Sequence, residues 1–438
     1  MKSDLLCKAE TLDVQHNIRI SANTHFACSL IPPLQGSSAF AFCPLQSQLL
    51  ADSHSQRPHS LVSLNTSSTM TSAVSNGTQE DSGLPSGVGR WRQRKLRDSG
   101  TKQTDYSAFS FLVRDEDFLK LLGSNPKIEK VVDTDAHEGL LYYPDESAIL
   151  FTTQGDFKTV PNKVKKVRLK TRTVETIFEN TDFANGMSLD AAGSLLICQQ
   201  GCNGYPAYIQ KVNLKTSESV DVADNWYNRP FNGPNDIVVK SDGSIWFTDP
   251  DYPTEQGFGG QPQVKNHLYR IAQDGIVDVV ADKFQKPNGL AFSPDESKLY
   301  VTDTGFYNNG PGSEKEEKNR PHSITVFDVV NRRQLSNRRL FASICSFDGS
   351  HLGTPDGIKV DTEGRVYACS TDGIHVINAD GVVLGLIQVP GAVNIAFGGP
   401  RLDTLYIGDD KAVHSVKLNA TGTGLFYAAK FHGIEYPK

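Results

Sequence analysis

The sequence predicts an all-β protein, a six-bladed β-propeller that follows a long N-terminal extension. One short motif recurs: an acidic or amide residue, usually followed by Gly, leads into an apolar strand, a tight turn and a second strand of branched and aromatic residues. Units of about 40–50 residues that hold several short strands each are typical of propeller blades. The motif begins at residues 138, 185, 235, 288, 356 and 394. Six copies therefore indicate six blades.

The N-terminal segment, residues 1–105, is expected to be a disordered extension. It is rich in Ser, Thr, Gln, Asn and Pro and shows no sustained period of 2 or 3.6 residues. Such a segment cannot bury enough apolar surface to offset the entropy lost on ordering. Its basic cluster at 90–97 is interpreted as a solvated charge run, with a localisation or docking signal as the alternative. The propeller is expected to occupy residues 106–438.

The elements before and after the repeats complete the predicted ring. A short helix is predicted over 115–122, and the alternating segment 127–132 is predicted to be a strand. The last repeat shows strands only at 404–408 and 412–418. The strand at 127–132 is therefore expected to complete the last blade and close the ring. Gly-rich or charged insertions are expected to form rim loops, at 200–208, 251–265 and 306–322.

Charge and hydropathy exclude several classes of partner. The net charge is −6, and residues 1–105 hold ten Lys and Arg against eight Asp and Glu, which leaves the remainder more acidic than the whole. A mildly acidic body argues against nucleic acid and anionic membranes as partners. The sequence has no apolar run of transmembrane length and no apolar core of signal-peptide length. We therefore expect a cytoplasmic protein. We also expect it to be a monomer.

The first residue of each motif is the candidate for metal binding. The innermost strand of each propeller blade begins at one mouth of the central channel, so these residues should converge on the axis. They are Glu138, Asn185, Asn235, Asn288, Asp356 and Asn394. Carboxylate and amide oxygens suit a hard divalent cation, above all Ca²⁺, which takes about 6–8 oxygen ligands. The alternative is that each residue only caps the entry of its blade, because Asn-Gly and Asp-Gly are common turn pairs.

Several of these motifs together resemble a known family. They are His137-Glu138-Gly139, residues 231–236 with 247–250, Pro287-Asn288-Gly289-Leu290 with Thr302-Asp303-Thr304, and Pro355-Asp356-Gly357. The stretch from about 130 to 420 resembles the gluconolactonase / senescence marker protein (regucalcin) family, with paraoxonases as more distant relatives.

The resemblance implies both an activity and a set of ligands. The implied activity is that of a lactonase, a carboxylic ester hydrolase that opens the ring of a small gluconolactone-like sugar lactone. The implied metal ligands are Glu138, Asn288 and Asp356, with Asn235 as a fourth or water-mediated ligand that also serves in substrate binding. Asn185 is interpreted as a substrate contact and Asn394 as structural.

The chemistry of lactone hydrolysis needs a metal at the carbonyl oxygen and a base for water. The cation would polarise the lactone carbonyl. Asp356 is the first choice as the base, and Asp236 and Asp303 are the alternatives. Asp303 could instead orient Asn288 from outside the ligand shell. His137 is expected to be structural, because alternation along a strand would point it away from the side of Glu138.

Two other readings of the same features stay open. The first is a hydrolase of other esters, such as aryl esters or organophosphates, on the same metal. The second is a non-catalytic calcium-binding propeller that serves as a binding platform. The supply of carboxylates beyond the ligand set favours an enzyme over the platform.

Overall fold

The computed structural model describes residues 84–90, 110–155, 162–202, 204–305, 322–347 and 353–424. Before the first repeat the chain forms strand β1 (Val88–Arg90), strand β2 (Phe111–Val113), helix α1 (Glu116–Leu122) and strand β3 (Ile128–Asp133). Blade 1 consists of β4 (Glu138–Tyr143), β5 (Ala148–Thr152), β6 (Val164–Arg168) and β7 (Val174–Phe178), with a 3₁₀ turn at Pro144–Glu146. Blade 2 consists of β8 (Ala184–Leu189), β9 (Leu195–Gln199), β10 (Tyr208–Val212) and β11 (Ser219–Ala223).

A small hairpin separates blades 2 and 3, formed by β12 (Asn225–Trp226) and β13 (Arg229–Pro230). Blade 3 consists of β14 (Ile237–Val239), β15 (Ile245–Asp249), β16 (His267–Ile271) and β17 (Val277–Ala281), with helix α2 (Tyr252–Glu255) between β15 and β16. Blade 4 consists of β18 (Pro287–Phe292), β19 (Lys298–Asp303), β20 (Ser323–Val330) and β21 (Gln334–Ser343). Blade 5 contains β22 (Ile358–Val360), β23 (Val366–Ser370), β24 (Gly373–Ile377) and β25 (Val383–Ile387). Blade 6 contains β26 (Asn394–Gly398), β27 (Thr404–Gly408) and β28 (Ala412–Lys417).

The sheets are arranged as a closed ring, which confirms the predicted six-bladed propeller. The first strand of each blade contacts the first strands of both neighbours, and β4 of blade 1 contacts β26 of blade 6. Strand β3 pairs antiparallel with β28, so that Val132 lies opposite Val413. The last blade thus takes its outer strand from the segment that precedes the first blade.

Blade 5 differs from the others because it holds six strands. Strand β2 pairs antiparallel with β25, and β1 pairs parallel with β2. Residues 84–90 fall within the segment for which the sequence predicts disorder, so β1 is a departure from that prediction. Three residues are too few to show a period, and the strand forms because Val88 is buried against the core of blades 5 and 6. The rest of segment 1–105 lies outside the described residues, as does most of the predicted rim loop at 306–322.

The glycine after the motif residue lets adjacent blades approach at the axis. The amide of Gly186 donates to the backbone oxygen of Asn235 in the next blade at 2.7 Å. A Cβ atom on Gly186 would lie 2.4 Å from that same oxygen. At Gly139 it would lie 2.5 Å from the backbone oxygen of Asn185. The recurring Gly is therefore a requirement of blade spacing.

Replacing Gly186 with Ala is expected to destabilise the protein by about 1–3 kcal/mol, because backbone must shift at the narrowest part of the ring. The change is measured as the free energy of unfolding in denaturant. Gly260→Ala is the matched control, since a Cβ there meets no atom within 4 Å. An unchanged denaturation midpoint for Gly186→Ala would contradict the conclusion that adjacent blades need glycine here to approach each other.

Candidate functional site

Five of the six predicted axis residues line one cavity of about 280 Å³ at the mouth of the channel. They are Glu138, Asn185, Asn235, Asn288 and Asp356. The sixth, Asn394, is 1% exposed and lies behind Glu138, to which its Nδ2 donates a hydrogen bond of 2.6 Å to Oε2. Most of the remaining wall consists of amides and hydroxyls, among them Gln154, Asn162, Gln200, Gln256 and Thr304.

Hydrogen bonds between neighbouring blades fix the backbone positions of the axis residues along the channel. A threonine at the end of the second strand in one blade donates its hydroxyl to the backbone oxygen of the axis residue in the next. These bonds run from Thr152 to Asn185 at 3.2 Å, from Thr248 to Asn288 at 2.7 Å and from Thr302 to Asp356 at 2.9 Å. The repeated sequence therefore fixes the backbone of the site as well as its side chains.

Three of the lining oxygens are buried and have no hydrogen-bond partner among the residues that the structure describes. They are the Oδ1 atoms of Asn185, Asn235 and Asp356. Burying an oxygen without a partner costs about 1–3 kcal/mol, and native proteins leave few such atoms. Three converging on one cavity fit a cation that takes oxygen ligands. No group of three or more His, Cys, Asp or Glu side chains suited to a metal occurs among the described residues, so amides are essential to this set.

Glu138 and Asp356 form a hydrogen-bonded pair of carboxyl groups. Burial and the charge of Asp356 raise the pKa of Glu138 well above its ordinary value. Burial raises the pKa of Asp356 to about 7, although the hydrogen bond to Glu138 works in the opposite direction. Two buried carboxyl groups that are hydrogen-bonded to each other share a proton unless a cation replaces it. The pair is therefore suited to hold positive charge.

The other two predicted bases, Asp236 and Asp303, do not line the cavity. Asp236 accepts the backbone amide of Ile237 at 2.9 Å and that of Leu290 at 3.3 Å. Asp303 accepts the amides of Gln285 and Lys286 at 3.0 and 2.8 Å. Burial raises the pKa of both carboxyl groups. Asp303 thus holds the segment that leads into β18.

The structure places His137 on the cavity wall, contrary to the expectation from strand alternation. Strand β4 begins at Glu138, so His137 lies before the strand and alternation does not apply to it. Its Nδ1 is 2.6 Å from Oδ1 of Asp410. Burial disfavours protonated His137, but the hydrogen bond to Asp410 and the charge of Glu138 outweigh burial and raise its pKa.

The repeated sequence motif also did not indicate the aromatic residues at the rim of the cavity. Phe183 lines the cavity with a positive φ of 60° and stacks on Phe258 with ring centroids 4.6 Å apart. Tyr252, the first residue of α2, lines the same cavity and is 6% exposed. None of them recurs from blade to blade, so the repeat could not reveal them. For Tyr252 and Phe258 the sequence signal was the predicted rim loop at 251–265, which follows the Thr248-Asp249 motif.

Comparison with known proteins gives the family. A model of the SMP-30/Gluconolactonase/LRE-like region matches residues 136–409. The chain belongs to this family. The resemblance seen in the axis motifs is thereby confirmed.

Similar proteins include two curated relatives. The gluconolactonase of Zymomonas mobilis subsp. mobilis is 30% identical over 246 residues, which cover 55% of this chain and 64% of that protein. The lactonohydrolase oryL of Aspergillus oryzae is 28% identical over 326 residues, which cover 69% of this chain and 73% of that protein. This family member thus spans just under two thirds of the Zymomonas protein's length.

Solved structures share the fold. A gluconolactonase from Xanthomonas campestris superimposes with a TM-score of 0.59 at 29% identity, over 70% of this chain and 95% of that one. The regucalcin of Agrobacterium tumefaciens, described as a calcium-binding protein, superimposes with a TM-score of 0.51 at 15% identity, over 68% and 95%. The second likeness concerns the propeller alone. In the described part of the chain, no helix has the length and hydropathy to cross a membrane.

Proposed function

We propose that this protein is a cation-dependent lactonase that opens the ester ring of a small sugar lactone. The observation that carries the proposal is that two buried oxygens without a partner among the described residues, Oδ1 of Asn235 and Oδ1 of Asp356, share a cavity with the Glu138 carboxyl group. Relatives named gluconolactonase, lactonohydrolase and pentonolactonase support the reaction class.

The proposed cation ligands are Glu138, Asn235, Asn288 and Asp356, and Ca²⁺ fits them because all four offer oxygen. When bound, the cation supplies a Lewis acid for the carbonyl oxygen of the lactone. Asn185 then remains as a substrate contact, because its Oδ1 is buried without a partner in the same cavity. The amide and hydroxyl wall suits the hydroxyl groups of a sugar, which both donate and accept hydrogen bonds.

The attacking water must lose a proton as its oxygen bonds to the carbonyl carbon. Asp356 is the proposed acceptor, since it lines the cavity and its Oδ1 has no hydrogen-bond partner within the described part of the chain. Asp236 and Asp303 are less suited, because backbone amides already bond to their carboxylates. His137 is an additional candidate: Asp410 bonds Nδ1, which leaves Nε2 to take a proton. When the ring C–O bond breaks, the leaving oxygen takes a proton, and the product is the open hydroxy acid.

Proton release tests the proposal, because the hydroxy acid product is ionised at neutral pH and each ring opening therefore releases one proton. Gluconolactone, a pentonolactone, an aliphatic lactone and an aryl ester are compared with and without a divalent-metal chelator, after subtraction of spontaneous hydrolysis. We expect the sugar lactones to turn over fastest and chelation to lower turnover about 10²–10³-fold, as for the loss of other oxyanion stabilisers. Restoration by Ca²⁺ is the control.

The competing readings predict different results in the same assay. Turnover confined to the aryl ester would favour a hydrolase of other esters. Calcium binding without turnover of any substrate would favour the non-catalytic platform. Unchanged turnover after complete removal of divalent metal would exclude the proposed mechanism.

A further inference from the structure

Helix α2 places a buried tyrosine hydroxyl against one of the proposed cation ligands. Nδ2 of Asn288 lies 3.3 Å from the hydroxyl oxygen of Tyr252, and the two residues are each 6% exposed. We propose that Tyr252 is a positioning residue that orients the Asn288 amide so that its carbonyl oxygen is presented to the cation. The inference rests on the proposed cation site and adds a residue from the rim loop to it.

The direction of this hydrogen bond matters because the two ends of an amide differ. The oxygen of Asn288 can bind a cation, whereas its NH₂ group can only donate. A rotation of 180° about the last side-chain bond would turn the NH₂ group towards the cation site. Something must therefore distinguish the two orientations in the folded protein.

Asn288 is also hydrogen-bonded to the Asp356 carboxyl, and a chain of hydroxyl groups on its other side contributes to that distinction. Thr304 donates its hydroxyl proton to the backbone oxygen of Pro355 at 2.7 Å. Tyr252 and Thr304 are hydrogen-bonded to each other. Because the Thr304 proton is used by Pro355, we infer that Oγ1 accepts in this bond and that the tyrosine donates. The tyrosine oxygen can in turn only accept from Asn288, which it does from Nδ2. Since Pro355 precedes Asp356, the chain connects two proposed cation ligands.

A second anchor keeps Tyr252 in place. Lys286, two residues before Asn288, is 4% exposed, and its Nζ pairs with Asp251 and, at 2.7 Å, with Glu255. These two carboxylates flank Tyr252 in the sequence, and Nζ lies 5.6 Å from the centre of the Tyr252 ring. The start of β18 therefore holds helix α2 at two points.

Calcium affinity of the metal-free protein provides the test, measured by competition with a chromogenic chelator in the absence of substrate. Tyr252→Phe removes the hydroxyl and is expected to weaken Ca²⁺ binding about 10-fold, the lower end for residues that orient ligands. Tyr269→Phe is the matched control: its hydroxyl, also buried, bonds Nδ1 of His267 at 3.1 Å and lies outside the cavity. The control should keep wild-type affinity.

The Tyr252→Phe change in an Asn288→Asp background shows whether the tyrosine orients the amide at position 288 or only stabilises the structure around it. The two oxygens of a carboxylate are equivalent, so a carboxylate at position 288 needs no orienting partner, and Tyr252→Phe should then change affinity less than about twofold. Thr304→Val, which allows the Tyr252 hydroxyl to donate to Oδ1 instead, should weaken binding only when residue 288 is Asn. Melting temperatures of all variants report whether the fold is retained.

The outcomes are distinct. Equal losses of affinity in the two backgrounds, or no loss in either, would overturn the role of Tyr252 and leave the proposed lactonase intact. Absence of Ca²⁺ binding by the wild-type protein would instead overturn the cation site and this inference with it.

Discussion

Replacing Asp356 with Ala is expected to abolish calcium binding and to lower lactone turnover by about 10²–10⁴-fold, the range that a positioned base contributes. The change removes a ligand and the proposed proton acceptor together. It also removes half of the carboxyl pair that gives the cavity its negative charge. Initial rates of proton release and calcium titration of the purified variant are the measurements.

Two further variants define what the loss means. Asp380→Ala, an exposed carboxylate of the same blade, should behave as the wild type. Asp356→Asn keeps an oxygen ligand but cannot accept the proton, so its turnover should fall further than its calcium affinity. Near-normal turnover in Asp356→Ala would show that Asp356 is neither an essential ligand nor the proton acceptor. His137→Gln would then test the remaining proton acceptor.

The recurring features of the propeller could be predicted from the sequence because each repeat encodes them separately. The residue that starts the inner strand and the Gly after it occur in blade after blade, and five of the six axis residues line one cavity. Their backbone positions depend on contacts between adjacent repeats, such as that of Gly186 with Asn235. A pattern in the sequence is informative where the same contact is made many times.

Features that occur once could not be found in this way. His137 is next to Glu138, and only the exact residue at which β4 begins decides which side it faces. Asp236 is next to Asn235, yet its carboxylate bonds to the amide of Leu290 in the neighbouring blade. Tyr252 belongs to a rim loop whose path depends on the ion pairs of Lys286. These placements come from tertiary contacts that have no counterpart in the other repeats.

Calcium is expected to stabilise the protein against thermal unfolding, and to do so more at pH 8 than at pH 5. The pKa values of Glu138 and Asp356 are raised in the folded, cation-free protein, that of Asp356 to about 7. In the unfolded chain such groups ionise near pH 4. Through Asp356 the folded state therefore binds more protons than the unfolded state from about pH 4 to 7, and Glu138 acts in the same direction, so stability from these groups falls as pH rises through that window.

A cation reverses this loss because it replaces the protons. Fewer protons compete for the carboxylates as pH rises, and at pH 8 a Ca²⁺ concentration of 100 times Kd should add about 2.7 kcal/mol. At pH 5 Asp356, with its pKa of about 7, is protonated, and the raised pKa of Glu138 favours its neutral form as well, so the same concentration should add much less. Thermal melts with Ca²⁺ and with chelator at pH 5, 6.5 and 8 measure the difference.

Glu138→Gln tests whether the carboxyl pair is the cause. Without cation, this variant should lose less stability than the wild type as pH rises to 8, because it removes one member of the carboxyl pair while its amide oxygen still accepts from Asn394. The two proteins should be most alike at pH 5, since the raised pKa of Glu138 favours its neutral form as pH falls, and Ca²⁺ should stabilise the wild type more than the variant. A calcium effect that is independent of pH, or a cation-free variant that loses as much stability as the wild type by pH 8, would show that the charge of this pair does not govern the site.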